Sequence, residues 1–414
     1  MPTDRMDLAL AAELAALSDE GRAKGAESVV AEVLPAEDGR GPRYRLRGEE
    51  RPLLRMNSNG YLGMALRPEV IEAEEAAARS FGTGPQAVRF ISGTYAPHVE
   101  LERGLAAFHG REAGVIYSSA YAAVMGILPP LISDETAVIS DALNHNCIIN
   151  ALRLARPAEK HVYAHLDLDE LEAALGRVAG SCRRAIVVTD GVFSMRGDHA
   201  PLERIEALVR AHDDRFPENV VLVVDDSHGV GAFGATGRGT EEVTGGRADV
   251  LVATLGKALG VNGGYAVGSP VLVEYLRETS PFYVYSNPIT PSEAAAARAA
   301  LELLDGERGR VLLTHLCEMT QRFRAGLEKL GFESIPGVHP VVPVLVRDTS
   351  RTVALVAHLR ERGVIATGLA YPVVPRGEEE IRFQISAEHT EADVDEVLHA
   401  LASFPDARRE AVPR

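Results

Sequence analysis

The chain has 414 residues, which at roughly 150 per domain is two to three domains' worth and enough to bury a core without disulfide or metal staples. Hydrophobic residues make up 46% and charged residues 25%, a globular balance that excludes disorder, collagen and coiled coil as the main class. The net charge of −16, from 43 Lys+Arg against 59 Asp+Glu, repels phosphate backbones and anionic membranes, and the densest basic run, Arg408-Arg409, is short and sits in the tail.

In chain order, Leu8, Leu10, Leu14 and Leu17 predict an amphipathic N-terminal helix ending near Gly21 to Gly25, followed by a polar candidate linker, Glu37 to Glu50. Helix-like and strand-like segments then alternate. The strands are Gly114 to Tyr117, Ala137 to Ser140, Ala185 to Thr189, Val220 to Val224 and Asp249 to Thr254, with helical patterns at Leu168 to Leu175 and Leu202 to Ala211. Continuous apolar strands separated by helices predict a mostly parallel sheet buried on both faces, an α/β fold. An aromatic, proline-rich loop, Pro281 to Pro291, breaks the pattern. A long helix from Pro291 to Leu304 restarts it, and strands at Val341 to Val346 and Ile381 to Ile385 belong to a smaller C-terminal α+β domain. The expected division is an N-terminal helix and arm over 1–55, a large domain over 56–291 and a small domain over 292–414.

The three cysteines, Cys147, Cys182 and Cys317, are widely spaced with no CxxC or Cys/His cluster, which suggests a reducing compartment and no metal site. The N-terminus lacks the apolar core of a signal peptide, and no run approaches the ~18 apolar residues of a membrane span. A cytoplasmic protein with neither a nucleic-acid nor a membrane partner is expected.

Ligands of open α/β sheets bind outside the carboxyl ends of the strands. After Gly114 to Tyr117, Ser118-Ser119-Ala120-Tyr121 opens a helix, a small-residue turn able to hold an anion on backbone N–H groups. Strand Val220 to Val224 delivers Asp225-Asp226-Ser227-His228. A desolvated strand-end carboxylate can hold a cationic partner, although each residue taken alone is equally a capping aspartate beside a core histidine. Gly229-Val-Gly-Ala-Phe-Gly234 spells GxGxxG but is followed by no helical pattern, so a nicotinamide site is not supported. Strand Val250 to Ala253 ends in Thr254-Leu-Gly-Lys257. Leu251 and Ala258 stand where a P-loop needs Gly and Ser/Thr, leaving a lysine among apolar and glycine residues, where desolvation favours a neutral nucleophile. His98, Glu100 and Glu102 read as the polar face of a helix, and the spacing around Ser194 is not that of a nucleophile elbow. Together, a phosphate cradle, an acid and an isolated lysine suit pyridoxal 5'-phosphate (PLP).

The motifs Ser58-Asn-Gly-Tyr-Leu-Gly63, Val88-Arg-Phe-Ile-Ser-Gly-Thr94, Ser140-Asp-Ala-Leu-Asn-His145, Thr189-Asp-Gly-Val-Phe-Ser-Met195, Val224-Asp-Asp-Ser-His228 and Thr254-Leu-Gly-Lys257 resemble, in order, the α-oxoamine synthases. These are fold-type-I, aspartate-aminotransferase-like PLP enzymes, and the likeness runs from about Asn57 to His389. It implies a seven-stranded, mostly parallel central sheet. It also implies a C-acyltransferase that condenses an amino acid with an acyl thioester, from CoA or a carrier protein, to an α-amino ketone. By the resemblance, Lys257 is the Schiff-base lysine and proton shuttle, and Asp225 is the partner of the pyridinium nitrogen. His228 and Ser194 contact the phenolic oxygen, and His145 stacks on the ring. Ala120, Tyr121 and Thr254 hold the phosphate. Ser286 and Asn287 match a segment that reaches the phosphate from a neighbouring subunit, implying a homodimer with shared active sites. Arg382 matches the arginine that forks onto the substrate carboxylate, with Asn59 near the same substrate. The segments Val88 to Thr94, Tyr371 to Gly377 and Ile381 to Thr390 look most like glycine C-acetyltransferase, which makes glycine and acetyl-CoA the expected substrates. Other members use a different amino acid or a longer acyl donor, and an aminotransferase or amino-acid lyase using the same cofactor without a thioester is the alternative reading. Ala120-Tyr121, Val124 and Asn146-Cys147 depart from that enzyme's usual Cys-Phe, Asn and Ala-Ser.

Overall fold

The computed structural model describes residues 3–20, 22–23, 26–371 and 373–405. Gly21 and Gly25, the Arg408-Arg409 run and Pro372 of the Tyr371 to Gly377 segment lie outside the described residues. The chain divides into two compact units, one of Asn59–Glu318 with Gly337–Pro340, the other of Met1–Ser58, Met319–Pro336 and Val341–Arg414.

The larger unit is built on seven strands: β1 (Ala113–Tyr117), β2 (Thr136–Asp141), β3 (Glu159–Tyr163), β4 (Arg184–Asp190), β5 (Val220–Asp225), β6 (Val250–Thr254) and β7 (Gly264–Gly268). Their order is β1-β7-β6-β5-β4-β2-β3, and all neighbouring pairs are parallel except those of β7, which runs antiparallel to both β1 and β6. The seven-stranded, mostly parallel sheet expected from the motifs is present. β3 and β7 are additions to the strands read from the sequence. In β3 (EKHVY) alternating exposure keeps an edge strand polar, and β7 (GYAVG) is bracketed by glycines that weaken a strand pattern.

Helices cover the sheet through apolar faces at 3.6-residue spacing: Leu168, Leu171, Ala174, Leu175 and Val178 in Leu168–Val178, and Leu202, Ile205 and Val209 in Leu202–His212. Asp167 starts the first by accepting from the N–H groups of Asp169 and Glu170. Helix Pro291–Leu304 begins in a capping box of Thr290 and Glu293 and packs against helices Pro68–Phe81 and Ala96–Phe108. That packing draws it into the larger unit, so the division falls after Glu318, within helix Glu307–Leu330, and not at 291/292. His98 and Glu102 are buried, not a solvated helix face, whereas Glu100 pairs with Arg298 nearer the surface.

The smaller unit holds a three-stranded antiparallel sheet, Val341–Leu345, Glu380–Gln384 and Thr367–Leu369. The polar stretch 37–50 is only partly a linker, because Arg43–Leu46 pairs antiparallel with Val30–Leu34. Arg43 also donates to Asp393 (2.6 Å) and Glu396 (3.1 Å) of helix Glu391–Ala402, which ties 1–58 to the C-terminal residues. Helix Asp4–Asp19 forms as expected and buries none of its residues.

Candidate active site

The site is assembled at one end of the larger unit's sheet. Tyr117, the last residue of β1, and Thr254, the last of β6, both pair with Gly264, so β7 sets the ends of two parallel-running strands side by side. Beyond β1, Ser119 caps helix Ala120–Leu131: its Oγ accepts from Ala122 N–H at 3.0 Å and its carbonyl from Ala123 N–H at 2.9 Å. The N–H groups of Ala120 and Tyr121 are left without an acceptor in the helix, at its positive end. A Cβ on Gly264 would stand 2.2 Å from Ala120 N, so only glycine lets this helix start come down onto the sheet. Thr254 accepts from Gly256 N–H at 3.0 Å through its Oγ1 and donates to Gly263 O at 3.3 Å.

Lys257 lies at the end of a bend over residues 255–257 and opens a turn closed by Gly260 N–H donating to Lys257 O. The glycines of the GxGxxG pattern have packing roles. A Cβ on Gly231, at φ +73°, would come 2.4 Å from Ala258 Cβ, beside the lysine. Cβ atoms on Gly229 and Gly239 would fall 2.1 and 2.0 Å from the carboxylate of Asp226. Asp226 accepts from Thr240 N–H (2.7 Å) and Thr240 Oγ1 (2.6 Å) at the start of the short helix Thr240–Thr244.

Asp225 ends β5 and is buried, accepting from Ser227 N–H at 3.1 Å and from the Cys147 thiol at 3.6 Å. His145 caps helix Asn146–Leu154, with its Nδ1 accepting from Cys147 N–H at 3.3 Å and lying 3.0 Å from Cys147 Sγ. The Tyr121 ring meets His145 edge-on, with centroids 6.4 Å apart. Burial lowers the pKa of His145, opposed by the charge of Asp225 and reinforced by that of Lys257. Burial, then the charges of Asp225 and Asp190, push the Cys147 thiol upward, so it remains a protonated donor. His228 is buried with its Nδ1 2.7 Å from Tyr61 Oη, while its carbonyl accepts from His339 Nε2 at 2.9 Å.

The larger unit thus gathers Ala120, Tyr121, His145, Asp225, Thr254 and Lys257 around one sheet end. Ser194 lies half-buried in the turn after Val192, and Asn59 half-buried at the start of the unit. Ser286 and the exposed Asn287 sit on the surface segment after helix Pro281–Val284, beside Tyr285, which is 80% exposed. Arg382 belongs to the smaller unit, on strand Glu380–Gln384 between Pro343 and Thr367. Residues that the sequence reading passed over are Tyr61, Asn144, Cys147 and Asp190. Asp190 carries the signal used for Asp225, a carboxylate ending an apolar strand, and the other three are recognisable only by their contacts.

The family described as aminotransferase class I and II matches residues 51–401. The chain is 40% identical over 363 residues to the mitochondrial 2-amino-3-ketobutyrate coenzyme A ligase of Homo sapiens, covering 87% of this chain and 84% of that protein. It is 39% identical over 369 residues to 8-amino-7-oxononanoate synthase 1 of Bacillus velezensis, covering 89% and 91%. Among solved structures, serine palmitoyltransferase of Sphingomonas wittichii superposes with a TM-score of 0.86 at 28% identity, over 97% of both chains. A serine palmitoyltransferase described with its PLP internal aldimine gives 0.84 at 27%. The chain therefore belongs to the aminotransferase class I and II family, with the fold-type-I architecture of PLP-dependent transferases. Within that class it is an α-oxoamine synthase, a PLP-dependent C-acyltransferase. The site fits the cofactor: orphan N–H groups at a helix start suit a phosphate, the buried Asp225 suits a cationic ring nitrogen, and the half-buried Lys257 suits a carbonyl carbon.

Proposed function

We propose that this enzyme condenses glycine with acetyl-CoA to an α-amino ketone, working as a homodimer with shared active sites in the cytoplasm. The observation that carries the reading is that the charges of the buried Asp225 and the half-buried Lys257 both act on His145 at a single sheet end. Bound there, PLP supplies an electron sink for bonds to the amino acid's α-carbon. Lys257 would hold the cofactor through Nζ, and its amine would take the substrate's α-proton. Asp225 keeps a proton on the ring nitrogen. His145 covers the ring face, and Ser194 and His228 steady the phenolic oxygen, with Tyr61 fixing the His228 ring. The N–H groups of Ala120 and Tyr121, together with Thr254, hold the phosphate. Arg382 and Asn59 take the substrate's carboxylate side.

The dimer reading rests on apolar side chains left at the surface, Phe90 (65%), Ile91 (68%) and Tyr285 (80%), the last next to Ser286 and Asn287. The compartment reading rests on Cys147, Cys182 and Cys317, all free thiols. A longer acyl thioester, with another amino acid, is the second reading, because the 8-amino-7-oxononanoate synthases match as well as the ligases do. The test is the absorbance of cofactor-loaded enzyme on adding glycine, then acetyl-CoA, with released thiol titrated. A glycine-dependent band shift followed by thiol release supports the proposal. A shift without thiol release moves the donor to longer acyl-CoA or carrier-protein thioesters, and indifference to glycine overturns the amino-acid assignment.

A further inference from the structure

We propose that Asp190 is a positioning residue held as a neutral carboxylic acid, so that the paired strand-end aspartates Asp190 and Asp225 carry one negative charge between them, on Asp225. The inference rests on the reading of Asp225 given above.

Asp190 ends β4 directly opposite Asp225 on β5, and the two residues are only 4% and 6% exposed. Neighbouring parallel strands lie ~4.8 Å apart, so two buried carboxylates in register cannot both ionise without large repulsion. The donors decide which one keeps the charge. Asp225 receives one on each oxygen, Ser227 N–H on Oδ1 and the Cys147 thiol on Oδ2. Asp190 receives one only, His145 N–H at 3.1 Å on Oδ2, while its buried Oδ1 has no hydrogen-bond partner among the described residues. With no donor on Oδ1 and one on Oδ2, Asp190 has less than Asp225 to stabilise a negative charge, which favours the neutral acid there. The local charges agree: burial, then Asp225, push Asp190 well above the usual carboxylate range, against the weaker opposing pull of Lys257.

Two consequences follow for the site. The N–H of His145 is held by Asp190 Oδ2, and Asp190 N–H in turn donates to Asn144 Oδ1 at 2.8 Å, so Asp190 fixes the peptide that carries the ring-covering histidine. The single charge also remains concentrated on the carboxylate that faces the cofactor nitrogen.

The test uses full-length enzyme. In the infrared difference spectrum of cofactor-free wild type minus Asp190→Asn at neutral pH, a protonated-carboxyl C=O band is expected, and its absence overturns the proposal. In parallel, PLP affinity is measured for Asp190→Asn, Asp190→Ala and Asp225→Asn. Asparagine keeps one acceptor and one donor, so it should recover to within about threefold the affinity that alanine loses, whereas Asp225→Asn should lose about tenfold or more. An Asp190→Asn loss as large as that of Asp225→Asn overturns the neutral acid. Unchanged affinity in Asp225→Asn instead overturns the reading of Asp225, and the infrared band still decides Asp190.

Discussion

Arg89 forks onto Glu102 through two hydrogen bonds of 3.1 Å, and both side chains are almost wholly buried. Glu102 also takes Arg277 at 2.7 Å and the N–H of Ile116, so one carboxylate bridges two guanidinium groups, one of them from the Val88 to Thr94 motif. Replacing Glu102 by Ala strands a buried cation and should cost about 3–5 kcal/mol in denaturant unfolding. The double variant Arg89→Met/Glu102→Leu should lose less than the sum of its single changes. Additive losses would show that the pair is not coupled.

His165 donates from Nδ1 to Asp141 (3.1 Å) and from Nε2 to Asp198 (3.2 Å), which ties the end of β2 to the loop after Ser194. Burial alone would lower its pKa, but the hydrogen bonds and charges of the two aspartates outweigh burial and raise it from 6.5 to about 9. A raised histidine pKa stabilises the fold fully below its unfolded value, and the gain is lost as pH rises through the folded one. Stability should therefore fall by about 2–3 kcal/mol between pH 6.5 and 9. In His165→Gln this slope should flatten, as read from urea midpoints across that range. An unchanged slope would assign the pH dependence elsewhere.

Gly229→Ala puts a methyl group 2.1 Å from Asp226 Oδ1, where the carboxylate is already fixed by Thr240 and cannot withdraw. Overpacking of this kind should cost about 1–3 kcal/mol, measured by thermal unfolding. Gly245→Ala, where nothing lies within 4 Å, is a control for adding a methyl group at a glycine, although its φ of +79° brings strain of its own.

Cys317 is exposed, whereas Cys147 and Cys182 are buried, and the Cys147 thiol is pushed upward by burial and neighbouring carboxylates. Mass spectrometry after brief iodoacetamide treatment should find Cys317 alkylated and the other two protected until denaturant is added. Labelling of Cys147 in the native protein would mean that the Asp225 cluster opens.

The central sheet was largely legible because its strands are nearly continuous runs of Val, Ile and Leu, and the helix starting at Pro291 because Thr290 and Glu293 cap it. Asp225 stands out because it ends an apolar strand, and Lys257 because it follows one among apolar and glycine residues. The relation of Asp190 to Asp225 depends on strand order, which no local pattern encodes, since β4 and β5 are separated by helix Leu202–His212. Glu102 was read as solvated because its spacing fits a helix surface. Its burial comes from Arg89 and Arg277, which lie in other parts of the chain. Arg43–Leu46 was hidden by its arginines, which a two-stranded edge tolerates.

β7 also has a temporal consequence. β1 emerges early in synthesis, yet its hydrogen-bonding partner is the last strand of the sheet to be made, and the helix start of Ala120 rests on Gly264 of that strand. The turn proposed for the phosphate is therefore a product of the most non-local strand pairing in this sheet, and pairing between distant segments waits on the entropy of the intervening loop. A nascent chain halted before Gly264 would contain most of the parallel sheet but not the strand on which the helix start at Ala120 rests, so cofactor capture would report that the sheet has closed.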